Sequence, residues 1–242
     1  MTGRRDQRHW QQLALDFKWD ERFDFAGFVA GPNAEAVAAL KGAGTADRRR
    51  VIYLYGESGV GKSHLLQAAC AEASAGGLTV VYLPLAQLVS RAPQLLQDLE
   101  KVDVVALDDV DRLVDAPEWQ RAAFHLFNRL QDGGRGLLMA GLRRPKELGL
   151  TLPDLVSRLQ SALALRLEKL GDEDKVLALC WRAQRRGLQL PKETARYLLN
   201  HRRRDTGYLF RLLAELDTAS LQAQRRLTVA FVKKVLASDN GR

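Results

Sequence analysis

The stretch VIYLYGESGVGKSHLLQAAC, Val51 to Cys70, decides the fold. Its centre, Gly56 to Ser63, reads GESGVGKS and has the spacing G-x-x-x-x-G-K-[ST]. An apolar strand pattern precedes it and a helical pattern follows, which is the context in which this spacing means phosphate binding. The glycines allow backbone amides to close around phosphate oxygens. The start of the next helix adds its partial positive charge. Lys62 is placed to reach the β- and γ-phosphates, and the Ser63 hydroxyl to ligate Mg²⁺. Gly56, Ser58, Gly59, Val60 and Gly61 are the candidate loop contacts, with His64 one residue past the motif.

Outward from this loop the chain repeats one theme. Short apolar runs, VIYLY, VVYLP, VDVVAL, GLLMAG and ALALRL, alternate with helical segments such as KSHLLQAACAEA and PEWQRAAFHLFNRLQDG. Strand–helix alternation at this spacing predicts a parallel sheet covered on both faces. After Gly171 only helical patterns remain. One starts at Asp172-Glu173-Asp174, acids suited to a first turn, and stops near Gly187. Others follow Pro191, run from about Asp205 to Gln222, and run from about Thr228 to Ala237. The expected organisation is an N-terminal arm over 1–24, an α/β domain over 25–168 and a helical domain over 169–242.

VDVVALDD ends a strand on Asp108 and Asp109. In open α/β sheets ligands bind at the carboxyl ends of strands. Asp108 is therefore the candidate to hold Mg²⁺, and Asp109 to orient or polarise the attacking water. The pair also reads as helix N-terminal acids ahead of VDRLVDAPEW.

Composition excludes several classes. The 242 residues suffice for one large domain or two smaller ones. No run approaches the roughly 18 apolar residues of a membrane span, and the N-terminus has charge but no apolar signal region. Cys70 and Cys180 form no metal spacing and suit a reducing compartment, so the expected location is the cytoplasm. The net charge of +8 permits contact with a polyanion such as nucleic acid, although an excess of arginine over lysine is also what coding bias produces.

GKSHLL, the Asp108-Asp109 pair and FAGFVAGPNAEA upstream together resemble the DnaA/Hda family of AAA+ ATPases, from about Phe23 to Ala237. The resemblance implies an AAA+ P-loop NTPase with a parallel five-stranded sheet, a small all-helical lid, and ADP or ATP with Mg²⁺ as cofactors. FDFAGFVAGPN is similar to the family's approach to the adenine pocket, which makes Phe28 and Val29 base-contact candidates; core packing explains them equally well. Initiators of the family carry a C-terminal helix-turn-helix domain, whereas this sequence reaches Arg242 just after the lid pattern. The expectation is the Hda branch, whose members inactivate DnaA; LPDLVSRL and DEDKVLAL resemble that branch too. The implied role is a negative regulator of replication initiation that promotes hydrolysis of DnaA-bound ATP together with the DNA-loaded sliding clamp.

The resemblance assigns further roles. Arg158, in LPDLVSRL, matches the arginine finger that faces a neighbouring subunit's nucleotide; read alone it is a surface helix arginine. Arg211, in TGYLFRLL, is similar to the lid arginine that reaches the nucleotide in cis. Leu209, Leu212, Leu213 and Leu216 form an i, i+3, i+4, i+7 stripe, and Arg211 lies about 200° from Leu209, opposite it. It also reads as a solvated arginine. One departure stands out. Where the family places a polar residue at the end of the fourth strand, this chain has Ala140, Gly141 and Leu142. The implication is weak hydrolysis of its own with nucleotide binding retained.

QLALDF, Gln12 to Phe17, alternates apolar residues inside a charged arm. An extended chain would present Leu13, Leu15 and Phe17 on one side, with Gln12 able to donate and accept at a pocket rim. The resemblance implies docking on the DNA polymerase III sliding clamp; an edge strand folded on the α/β domain is the alternative. The implied partners are DnaA and the clamp, with DNA reached indirectly, no membrane, and self-association left open. Two other functions stay open: a helicase-loading ATPase on DNA, and a scaffold that nucleotide merely stabilises.

Overall fold

A computed structural model describes residues 23–41 and 51–239. Gln12, Leu13, Leu15 and Phe17 lie outside the described residues.

The apolar runs form five strands: β1 (Val51–Tyr55), β2 (Val80–Pro84), β3 (Val104–Asp108), β4 (Gly136–Gly141) and β5 (Leu163–Arg166). They make one parallel sheet in the order β2-β3-β4-β1-β5. The three inner strands are buried almost throughout, as expected where helices cover both faces. β5 is an edge strand and behaves differently: Leu163 is 47% exposed while Leu165 is buried.

Alternate residues of each strand point to opposite faces. Ile52 and Leu54 join a core with α1 (Ala34–Lys41) and α2 (Lys62–Ala75), through Leu40, Leu65, Leu66 and Cys70. Tyr53, Leu107 and Met139 join the other core with α3 (Pro117–Asp132) and α4 (Pro153–Gln160), through Phe127, Leu155 and Leu159. The expected parallel five-stranded α/β fold is the observed one. The register aligns the C-terminal ends of β1 and β4, with Tyr55 opposite Gly141.

The chain divides into two compact units, Met1–Glu168 and Lys169–Arg242. The second contains α5 (Asp172–Arg185), α6 (Lys192–His201), α7 (Thr206–Ala223) and α8 (Val229–Asp239). Its core gathers Val176, Leu198, Leu209, Leu212, Leu213, Leu216 and Val232. The leucine stripe of α7 is buried along its length. The side chain of Asp205 caps α7 by accepting from the Tyr208 N–H at 2.8 Å. Among the described residues no helix is long and apolar enough to cross a membrane.

Candidate functional site

Between β1 and α2 the chain turns in a loop that requires glycine. Gly56, Gly59 and Gly61 have φ of 155°, 81° and 102°. A Cβ on Gly56 would lie 2.5 Å from the Leu167 carbonyl oxygen, and one on Gly61 would lie 2.6 Å from the Phe28 ring. No side chain caps α2, because Gly61 occupies the cap position in a left-handed conformation. Its first backbone N–H groups therefore face the loop without side-chain acceptors, the arrangement that binds phosphate. Ser58 and Gly59 are exposed at the loop tip, while Val60 is buried against the sheet and anchors it.

Lys62 is buried, and its Nζ donates to the carbonyls of Gly56 at 2.7 Å and Glu57 at 2.9 Å. Burial lowers its pKa from the ordinary lysine value, and the nearby carboxylates of Asp108, Asp111 and Asp109 oppose that shift. Positive charge is thus held inside the loop that presents amides to an anion.

Asp108 ends β3 and is 2% exposed. Its Oδ2 accepts from the Tyr82 hydroxyl at 2.6 Å and its Oδ1 from the Asp109 N–H at 2.9 Å. Each oxygen keeps a further lone pair. Asp109 follows in the left-handed region, φ 57° and ψ 48°, which is costly for a residue other than glycine and clusters at functional sites. Burial, then Asp108 and Asp111, raise its pKa above the usual carboxylate value. Among the described residues no group of three or more His, Cys, Asp or Glu could hold a metal ion alone. A single buried carboxylate, Asp108, fits the Mg²⁺ habit of binding few protein ligands together with phosphates and water.

Upstream, Asp24 caps a short helical turn by accepting from the Gly27 N–H. His64 Nε2 sits 2.9 Å from the Asp24 carbonyl, and its ring meets Phe23 and Phe28 edge-on at 4.9 and 5.3 Å between centroids. Phe28 thus packs on Gly61 and His64 beside the phosphate loop, and Val29 is half-buried next to it. Cys70 is wholly buried and burial raises its pKa, so it is a core residue rather than a nucleophile.

The end of β4 carries no polar side chain. Ala140 and Gly141 are buried, and Leu142 is 45% exposed. Tyr53 fills the space: its hydroxyl donates to the Arg143 carbonyl at 2.9 Å and would lie 2.2 Å from a Cβ on Gly141. The Leu142 N–H donates to Asp111 Oδ1 at 3.2 Å. The sequence reading missed both tyrosines. Tyr53 and Tyr82 look like ordinary members of apolar strands, and only the register reveals what their hydroxyls reach.

Arg158 lies in the last turn of α4 and is exposed, while Leu155 and Leu159 of the same helix are buried. Arg211 is exposed on α7, between half-buried Phe210 and buried Leu212. They belong to separate units.

A glycine phosphate loop on a β2-β3-β4-β1-β5 parallel sheet, with an acidic pair ending β3 and a helical unit following, defines the DnaA-like AAA+ nucleotide-binding fold. Residues 19–166, more than half of the chain, match the family described as the bacterial DnaA ATPase domain, and the chain belongs to that family. Residues 172–236 match the Hda lid domain. Together the two matches are consistent with a DnaA-paralogous AAA+ protein of the Hda type. Domain III of the Thermotoga maritima replication initiation protein DnaA shares the fold, with a TM-score of 0.79 and 24% identity over 91% of this chain and 98% of that one. A replication initiator DnaA bound to AMPPCP and single-stranded DNA is similar at 27% identity, with a TM-score of 0.68, 81% of this chain and 66% of that one. AMPPCP-bound DnaA from Aquifex aeolicus is similar at 26% identity, with a TM-score of 0.65 and the same coverage. This chain spans about two thirds of those two initiators.

Proposed function

We propose that this chain binds an adenine nucleotide, ADP or ATP, with Mg²⁺ and uses that state to present Arg158 to ATP held by DnaA. It thereby promotes hydrolysis there and restrains replication initiation. The observation that carries the reading is the joining, in one chain, of a DnaA-type ATPase domain to an Hda-type lid.

In this reading Gly56 to Gly61 and the first turn of α2 bind the phosphates, and Lys62 leaves the Gly56 and Glu57 carbonyls for phosphate oxygens. Ser63 and Asp108 hold Mg²⁺, with the Tyr82 hydroxyl and the Asp109 amide orienting the carboxylate. Bound Mg²⁺ supplies charge neutralisation between the β- and γ-phosphates. Phe28, Val29 and His64 flank the nucleotide. Asp109 accepts the proton of an attacking water or orients it, but the apolar end of β4 deprives that water of an orienting contact, so turnover at this site is slow. An arginine supplied in trans stabilises charge on the transferring phosphoryl group and accelerates it by roughly 10³–10⁵. Exposed Arg158 is offered for that purpose.

Gln12, Leu13, Leu15 and Phe17 dock the arm on the sliding clamp in this reading, which brings Arg158 to DnaA wherever clamps are loaded on DNA. The test is hydrolysis of DnaA-bound ATP with this protein, clamp and DNA each omitted in turn. Full stimulation is expected only with all present, and equal turnover without this protein overturns the reading. Leu15→Ala with Phe17→Ala separates the clamp step. Each side chain contributes roughly 1.5–3 kcal/mol if buried, so the double variant should lose most clamp affinity while keeping its melting temperature and nucleotide binding. Unchanged clamp capture excludes the peptide.

A further inference from the structure

The charge of this protein is not spread over it. Met1–Glu168 holds 21 Lys and Arg against 21 Asp and Glu, whereas Lys169–Arg242 holds 16 against 8. The whole net charge of +8 therefore belongs to the helical unit.

Within that unit two cation–ring contacts flank the end of α6. Lys233, on α8, lies over the Tyr197 ring at 5.3 Å. Tyr197, on α6, stacks on His201 at 4.1 Å between centroids with 23° between the planes, and His201 Nδ1 sits 2.9 Å from the Tyr197 carbonyl. His201 ends α6 and leads directly into Arg202, Arg203 and Arg204. Arg203 then lies over Tyr208, at the start of α7, at 5.9 Å. Lys233, His201 and Arg203 are exposed, and the two tyrosines are half-buried.

Three carboxylates of the unit, Asp172, Glu173 and Asp205, are already committed. Asp172 pairs with Arg204 and Lys175, Glu173 pairs with Arg196, and Asp205 caps α7. Arg202 and Arg203 have no carboxylate partner among the described residues. Ring packing holds Lys233 and Arg203 in place without neutralising them, so less conformational freedom remains to be lost on binding.

We propose that these side chains form a binding surface for the phosphate backbone of duplex DNA. The rings already carry a cation or another ring, so what the surface offers is positive charge and N–H donors rather than platforms for unstacked bases. Such groups read phosphates without reading sequence, and the duplex presents the denser row of phosphates. The proposal does not depend on DnaA, the clamp or ATP turnover, and it gives the protein its own hold on DNA, which the clamp route alone does not.

The test is fluorescence anisotropy of a labelled 30-base-pair duplex with the full chain across a salt series. The parent should bind with a log–log salt slope of about −0.9 per phosphate contacted. Arg202→Ala, Arg203→Ala and Lys233→Ala together should weaken low-salt binding at least tenfold and make the slope shallower by about 2 to 3. A charge-matched control on the other unit, Lys101→Ala, Arg121→Ala and Lys146→Ala, should bind as the parent does. Both variants should keep the parental melting temperature; if the first variant does not, Arg202→Gln with Arg203→Gln replaces it. Equal loss in the control, no salt-dependent binding by the parent, or tighter binding to the same-length single strand or to vesicles of anionic lipid would each overturn the proposal.

Discussion

Strands β1 and β4 lie side by side and end at the same edge of the sheet, yet their ends have opposite chemistry. β1 runs into the glycine loop, where the uncapped start of α2 and the Lys62 ammonium meet, within electrostatic reach of Asp108. β4 ends in Ala140 and Gly141, followed by Leu142, with the Tyr53 hydroxyl occupying the space a side chain at 141 would need. The first end has the polar equipment that suits phosphate; the second offers no polar side chain that could orient water. The proposed role needs only the first.

Four substitutions can break or sharpen this contrast, in falling order of effect. Gly56→Ala forces a Cβ to within 2.5 Å of a backbone oxygen at a φ of 155°. It should cost about 3 kcal/mol or more and abolish nucleotide binding. A parental melting curve would show that the loop tolerates what its geometry forbids.

Lys62→Ala removes a charge-assisted contact worth on the order of 1.5–3 kcal/mol. Calorimetry with ADP or ATP and Mg²⁺ should show about 10- to 100-fold weaker binding, and equal affinity would remove the lysine from the site. Gly141→Ala addresses the other end. The clash with Tyr53 should cost about 1–3 kcal/mol, and adding Tyr53→Phe should restore much of it, because the closest atom is the hydroxyl. Additive losses would mean that Tyr53 does not fill that space.

The smallest effect belongs to Asp109. Its raised pKa means that the folded protein holds the proton more tightly than the unfolded chain, so this group favours folding most at low pH. That contribution is lost as pH rises from the ordinary carboxylate value through the raised one. Asp109→Asn keeps a residue tolerant of the left-handed region and removes repulsion from Asp108 and Asp111. It should melt higher than the parent at pH 7, by less than about 1 kcal/mol after solvent screening, with the gap closing toward pH 4. A lower melting point at pH 7 contradicts this.

Much of this was legible in the sequence. The strands were readable because each is a short apolar run closed by a turn, and the lid helices because acids and prolines mark their starts. The α7 stripe, Leu209 to Leu216, announced its core by spacing alone. The phosphate loop was readable because its chemistry needs glycines at fixed offsets. What stayed hidden depends on neighbours across strands. Tyr82 reaches Asp108 from the adjacent strand, and Tyr53 reaches Arg143 and Gly141, contacts set by register rather than local pattern. The contacts of Lys233, Tyr197, His201 and Arg203 join three helices and have no signature in any one of them.

The central claim is that this chain offers an arginine to ATP bound by another protein. The most direct measurement is single-turnover hydrolysis of ATP preloaded on DnaA, with clamp and DNA present, comparing the parent with Arg158→Ala. The account predicts unchanged nucleotide affinity in the variant and a loss of stimulation on the order of 10²-fold or more. Normal stimulation by Arg158→Ala would contradict it.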